Sequence, residues 1–319
     1  MVRSVYVVKL QSISDLPCKI TAFWWNMQEN WIFFCETCEF ICIYAKIVVS
    51  LRPNWEMCEY KMVALVTGAS SGIGLEYAKQ LARDYGCDVV LVSNQEAELA
   101  AAAKEIAAQF GVKTWNLYMD LSQTDAAEKV YEFCQKKGLE VDVLVNNAGM
   151  LIFEGFRFTP MRKIETLAML HVVTMTKLCR LFAADMCERK RGWILNMSSM
   201  SAWMAMPGIQ CYNASKVYVL SFSKSLWYEM RVHNVRVLAV TPGSTDTGLL
   251  PFGPKFGKFL RAMGITMPVP RLVKRALRVL FKRRKKTCMP GGWNYIIVPI
   301  INHLPNWVVK IAMPKLIKF

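Results

Sequence analysis

From residue 62 onward, short runs of β-branched and aliphatic residues alternate with longer stretches in which apolar side chains recur every three or four positions. The first kind of run reads as buried strand and the second as amphipathic helix. Six strands are expected, over residues 62–67, 88–93, 113–118, 141–145, 193–197 and 235–240, with helices such as 74–85, 96–110 and 125–136 between them. Strands separated by helices form a parallel sheet, because each parallel neighbour requires a crossover. Right-handed crossovers then lead to an α/β fold with a doubly wound parallel sheet.

The pattern divides the chain into three parts: an N-terminal extension (1–61), the α/β domain (62–250) and a C-terminal tail (251–319). Residues 31–51 are apolar but interrupted by Glu36, Glu39 and Lys46. A central charge costs about 2.5 to 3.5 kcal/mol on insertion into a bilayer, so a clean transmembrane anchor is not expected here. The extension reads either as an interfacial segment or as residues ahead of a start at Met62. After Gly243 the alternation fails, and Pro251, Gly253, Pro254 and Gly257 mark a loop before a helix expected over 271–281 and a short edge strand over 287–289. The last residues, 293–319, are apolar but broken by Pro299, Pro305 and Pro314.

Charge sharpens this division. Residues 1–61 carry six Lys/Arg and six Asp/Glu, residues 62–250 carry 19 and 18, and residues 251–319 carry 15 and none. Nearly the whole formal net charge of +16 therefore lies in the tail, interleaved with aliphatic and aromatic residues. That mixture argues against nucleic acid and for peripheral association with an anionic membrane surface, with the apolar side of the basic helix and the residues after it inserting; the alternative is a solvated basic helix with the final residues folded over the substrate pocket or a partner subunit. The protein is otherwise expected to be cytoplasmic. Eleven scattered cysteines, an odd number, read as reduced thiols, and Cys35 and Cys38 have no second pair at zinc-ligand spacing, so no metal is expected.

The first strand runs directly into Thr67-Gly68-Ala69-Ser70-Ser71-Gly72-Ile73-Gly74 and then a helix. Glycines allow positive φ and close backbone approach, and a helix N-terminus offers unpaired N–H groups to a pyrophosphate. An ordinary tight turn is the plain alternative. Asp120, after the third strand, reads either as an acceptor for an adenine amino group or as a turn and helix cap. Asn146-Asn147-Ala148-Gly149 ends the fourth strand, where a ligand crevice opens in such sheets. Ser198 and Ser199 end the fifth, and Tyr212-Asn213-Ala214-Ser215-Lys216 follows. Tyr and Lys four apart share a helix face, and a nearby ammonium is expected to lower a tyrosine pKa from about 10 toward neutrality.

These four elements in this order resemble the short-chain dehydrogenase/reductase family over residues 62–250. The resemblance implies a Rossmann-like fold and an enzyme that moves a hydride between NAD(P)(H) and a carbonyl or alcohol. It assigns Gly68, Gly72 and Gly74, with Ser70, Ser71 and Ile73, to the cofactor turn, Asp120 to adenine, and Asn147, Ala148 and Gly149 to the crevice beyond. Ser199 falls to the substrate oxygen, Tyr212 to proton transfer, and Lys216 to both the tyrosine and the cofactor ribose. Pro242 and Gly243, with Thr245 and Thr247, match the segment beside the nicotinamide and pyrophosphate. Family members form dimers or tetramers through two long helices, which correspond here to 159–188 and 212–230.

The chain departs from the family where an Asn usually holds a relay water behind the lysine. His171 stands at that position, either as a relay or as a core histidine with a satisfied ring. Ser93, followed by Asn94, replaces the acid that binds the ribose 2′-hydroxyl of NAD, which tilts cofactor choice toward NADP while leaving NAD open. Phe153, Phe156, Phe158, Trp203, Met204, Met206, Phe252, Phe256 and Phe259 near the expected pocket imply an apolar, lipid-like substrate. The alternative is a catalytically weak dinucleotide-binding sensor or scaffold.

Overall fold

The computed structural model describes residues 61–204, 208–243, 245, 266–283, 285–292 and 294–303, together with the backbone of four strands between residues 20 and 48. The chain divides into two compact units, Met1–Tyr60 and Lys61–Phe319. In the first, β1 (Ile20–Trp25), β2 (Asn30–Cys35), β3 (Cys38–Tyr44) and β4 (Ile47–Val48) form an antiparallel meander. Aromatic and β-branched residues dominate these runs, which is a strand composition.

The second unit contains β5 (Val63–Thr67), α1 (Gly72–Tyr85), β6 (Asp88–Ser93), α2 (Glu96–Phe110), β7 (Thr114–Tyr118) and α3 (Ala126–Lys136). It continues with β8 (Val141–Asn146), α4 (Met161–Ala168), α5 (Met175–Glu188), β9 (Gly192–Met197), α6 (Gln210–Met230) and β10 (Val235–Val240). After the basic segment come α7 (Val269–Lys282), β11 (Thr287–Cys288) and α8 (Asn294–Asn302). The strands lie in the order β11-β10-β9-β8-β5-β6-β7 and every pair is parallel. The winding direction reverses between β5 and β8, and a crevice opens at that point, outside the carboxyl ends of the strands.

Helices cover both faces of the sheet, so β6 and β8 are buried at every residue. One core layer joins the sheet to α1, α2 and α7 through Tyr77, Leu81, Ile106 and Leu277. The other joins it to α3, α5 and α6 through Val130, Phe182, Met186 and Val219. A π-helical segment, Met169–Thr174, links α4 to α5. Together they make a helix, Met161–Glu188, long and apolar enough to cross a membrane. Its apolar residues, among them Leu167, Leu178 and Phe182, are core residues of this domain.

The basic helix α7 overturns one expectation. Its apolar face was expected to meet a membrane, but Leu272, Val273, Ala276, Leu277 and Leu280 are buried against α1 and the sheet. Gln80 fixes the start of this helix by donating to the Pro270 carbonyl at 2.9 Å. Only the cationic face, including Arg271, Lys274, Arg275 and Arg278, is left exposed. A parallel sheet is covered on both faces, and this helix supplies the cover over β9 and β10.

Candidate active site

The glycine turn sits over the end of β6, where the Gly68 and Ala69 amides both donate to the Val92 carbonyl, at 2.8 and 3.2 Å. Gly68 and Gly72 have φ of +66° and +57°, a region that disfavours any other residue. A Cβ at Gly74 would collide with the Gly68 carbonyl and the Asn147 amide, so that position requires glycine for space. Ser71 precedes α1 without capping it through its side chain, and the backbone beside Gly72 faces open space. An uncapped helix start behind an open glycine turn fits a dinucleotide pyrophosphate, with the Gly72, Ile73 and Gly74 amides as donors.

The two crevice-lining turns are tied together by Thr67. Its hydroxyl accepts from the Asn147 and Ala148 amides at 2.9 and 3.0 Å and donates to the Val145 carbonyl at 3.3 Å. At the end of β6, Ser93 donates to Ser70 at 2.9 Å and Ser70 donates to Gln95 at 2.6 Å. Neighbouring Asn94 is exposed, and no carboxylate stands in this group. Asp120 accepts from the Ser122 amide and hydroxyl at 2.9 and 2.8 Å, and from Gln123 at 3.2 Å. These bonds hold its carboxyl below the usual pKa and close a turn ahead of α3.

On the other side of the crevice, Ser199 follows β9, with its hydroxyl near enough to that of Tyr212 on α6 to favour the phenolate. The Ser199 hydroxyl also accepts from the Ser201 amide at 3.2 Å. Lys216 lies one turn further along α6, buried, with Nζ donating to the Met197 carbonyl at 3.0 Å and 5.4 Å from the Tyr212 ring centre. Ser198 ties the same turn down by donating to the Lys216 carbonyl at 2.7 Å. The electrostatics differ from the expected depression of the tyrosine pKa. Burial raises Tyr212 while Ser199 opposes the rise, and burial lowers Lys216 to about 8. Loss of water disfavours phenolate and ammonium alike, and here it outweighs their mutual attraction.

His171 is buried in the π-helical segment with both ring nitrogens engaged. Nε2 accepts from the Met150 amide at 3.0 Å, so Nδ1 carries the proton and donates to Ser215 at 2.9 Å. Ser215 donates in turn to the Tyr212 carbonyl at 2.7 Å. Burial, and then the charge of Lys216, push the imidazole pKa well below its usual value. Gly149 makes room for the ring, since a Cβ there would lie 2.7 Å from Nε2.

Sequence reasoning gave no individual role to several residues that the structure brings to the site. Asn146 donates to Asn196 at 2.9 Å, and Asn196 donates to Ser223 at 2.9 Å, a buried chain joining β8, β9 and α6. The Asn146 Oδ1 is buried without a partner. Asn146 also borders a cavity of about 20 Å³ lined by Thr67, His171, Thr174, Met197 and Lys216, large enough for a water molecule. Asn294, at the start of α8, is buried against Gly243 and bonds the Pro290 carbonyl, so the tail reaches back onto the Pro242-Gly243 turn. The pair of glycines at 291–292 was the available signal. Thr245 forms a bridge with Met267, whereas Thr247 lies outside the described residues, as do Met206, Phe252, Phe256 and Phe259. Of the expected pocket residues, Phe156, Phe158 and Trp203 are exposed, Phe153 is half-buried and Met204 is buried.

A family model described as short chain dehydrogenase matches residues 62–252. A very-long-chain 3-oxoacyl-CoA reductase from Homo sapiens is 31% identical, over 78% of this chain and 78% of that protein. A 17-beta-hydroxysteroid dehydrogenase type 3 from Rattus norvegicus is 32% identical, over 67% of this chain and 68% of its own length. Among solved structures, a short-chain dehydrogenase from Sphingobium yanoikuyae in complex with NADPH is 28% identical, with a TM-score of 0.64 over 80% of this chain and 94% of that one.

Proposed function

This chain belongs to the short-chain dehydrogenase family, and on that premise we propose that it is an NADP(H)-dependent oxidoreductase acting on the carbonyl or alcohol of an apolar, lipid-like substrate. The carrying observation is the Ser199–Tyr212 hydroxyl pair with Lys216 one turn away, placed across the crevice from the uncapped glycine turn. When bound, the nicotinamide dinucleotide supplies or accepts the hydride. Ser199 holds the substrate oxygen through its hydroxyl, and the Tyr212 hydroxyl gives or takes the proton at that same oxygen. Lys216 keeps a positive charge behind the tyrosine, where it favours the phenolate formed as the proton leaves. His171 orients the turn that carries Tyr212 through Ser215.

NADP is favoured because no carboxylate at the end of β6 would repel a 2′-phosphate, and a similar solved structure holds NADPH. A lipid-like substrate is supported by the exposed Phe156, Phe158 and Trp203 and by relatives named for a very-long-chain oxoacyl thioester and a steroid. The test compares NADPH and NADH consumption with a long-chain 3-oxoacyl thioester, a 17-ketosteroid and a short ketone. Turnover is expected with NADPH and a long or polycyclic ketone. Binding of NADPH without turnover of any carbonyl would establish the sensor alternative.

The tail supports peripheral membrane association through α8, whose Tyr295, Ile296 and Ile300 are exposed, backed by the cationic face of α7. Full-length protein is expected to float with anionic vesicles, and Ile296→Glu with Ile300→Glu to reduce this. Equal flotation with neutral vesicles would overturn it. Exposed Val217 and Tyr218 on α6 support self-association through the α5 and α6 faces, which light scattering on the purified protein checks.

A further inference from the structure

β10 is paired along its whole length with β9, but on its outer side it is paired only at its last two residues, where Ala239 and Val240 meet Thr287 and Cys288. Its first residues lie beside a recess of about 50 Å³, at the end of the strand away from Pro242 and Gly243. Four cationic residues line that recess, Arg231, Arg236, Arg283 and Lys285, and none of its lining residues is acidic. Elsewhere on this domain, cations are commonly matched to acids, as in Lys79–Glu105, Arg83–Asp84, Lys163–Glu154 and Arg191–Asp142.

Two of the four cations are held in place by means other than carboxylates. Arg236 donates Nη1 to the Leu280 and Phe281 carbonyls at the end of α7. This contact occupies the negative end of that helix and leaves the other guanidinium donors uncommitted. Arg231 lies over the Trp227 ring at 4.5 Å, and Trp227 is itself a wall of the recess. The backbone adds donors. Because the Ala239 amide bonds the Lys286 carbonyl, strand alternation turns the Val237 amide to the same side, where no strand is paired among the described residues.

Like charges gathered around one recess repel and disfavour the folded state, and a bound oxyanion removes that repulsion while satisfying several donors at once. We propose that this recess binds a phosphate group, carried by a phosphorylated small molecule or by a lipid headgroup, at a site separate from the crevice that takes the dinucleotide. A recess of this size accommodates one phosphoryl group. Trp227 and the aliphatic floor of Val235, Val237 and Leu238 then meet the apolar part attached to it. This site stands independently of the oxidoreductase reading.

The test compares full-length protein with an Arg283→Gln/Lys285→Gln double variant, both positions being exposed, so that folding is retained. Unfolding midpoints are measured in inorganic phosphate and in chloride at equal ionic strength, and flotation is measured with phosphatidylcholine vesicles with and without phosphatidic acid. For a soluble phosphorylated ligand, phosphate raises the midpoint beyond chloride and the double variant binds phosphate at least tenfold more weakly. For a headgroup, phosphatidic acid drives flotation of the parent and the double variant loses it. Either result supports the site. A phosphate-induced shift of the same size in parent and double variant, together with equal flotation of the two, would overturn it. A change in NADPH affinity is not expected in either case, so the outcome separates from that of the catalytic proposal.

Discussion

On one side of the crevice, β5 and β6 present bare backbone: two glycines at positive φ, a third with no room for a side chain, and a helix start without a cap. On the other side, β8 and β9 and helix α6 present polar side chains that are buried and bonded to one another, from Asn146 through Asn196 to Ser223 and from His171 through Ser215 to the Tyr212 backbone. A pyrophosphate needs many donors that stay fixed, which backbone amides supply without losing side-chain entropy. Proton transfer needs groups whose pKa can be moved, and ionisable side chains shifted by burial, neighbouring charge and hydrogen bonds supply them.

The largest expected effect belongs to the side-chain half. Tyr212→Phe should lower kcat by about 10² to 10⁴, the usual contribution of a positioned proton donor, while cofactor affinity measured by fluorescence titration stays within about twofold. A variant that kept its turnover would remove Tyr212 from the chemistry. Gly74→Ala should act in the opposite sense. It should weaken cofactor binding by about tenfold or more and cost about 1 to 3 kcal/mol in denaturant unfolding, because the added methyl has no space. If Gly74→Ala left binding intact, the division between a backbone half and a side-chain half would fail.

The next effect is thermodynamic. Lys216 titrates near 8 in the folded chain and at the ordinary lysine value of 10.5 when unfolded, so the unfolded state binds more protons between those values. Lys216 by itself therefore contributes a rise in stability with pH across that window, of about 3 kcal/mol, read as the difference between the parent and Lys216→Met. Lys216→Met should abolish the rise. From about pH 9 an opposing fall sets in, because burial raises the Cys87, Cys134 and Cys179 thiols from 9.0 to about 12 and the unfolded state loses their protons first, with Tyr77 and Tyr212 adding to it above pH 10. Chemical denaturation from pH 7 to 11 checks both limbs.

The smallest effect concerns His171. Its folded pKa lies well below 6.5, so stability is lost as pH falls through the ordinary histidine range and the unfolded chain takes up a proton. His171→Asn should remove this acid-side loss and keep kcat within about threefold. A fall in kcat of more than tenfold in a folded variant would place the imidazole in the proton path.

The alternation of strand and helix was legible from residue 62 to 240, and the strands at Asp88–Ser93 and Val235–Val240 start and end where their periodicity does. The glycine turn and the Tyr212/Lys216 spacing were equally local. His171 was legible as a departure from a pattern, but its two partners, at Met150 and Ser215, come from a loop and a different helix. The apolar stripe of α7 was visible in the chain, yet it read as membrane-facing because a stripe does not state what covers it.

Sequence alone therefore determined the strand order along the chain, the turns that demand glycine and the chemical types at the crevice, since each depends on neighbours within a few residues. Tertiary structure decided which way Tyr212 and Lys216 titrate, that Asn294 closes onto Gly243, and that the basic helix buries its apolar face in the core. Desolvation and steric fit depend on the elements that surround a residue in space, and those lie dozens to hundreds of positions away along the chain.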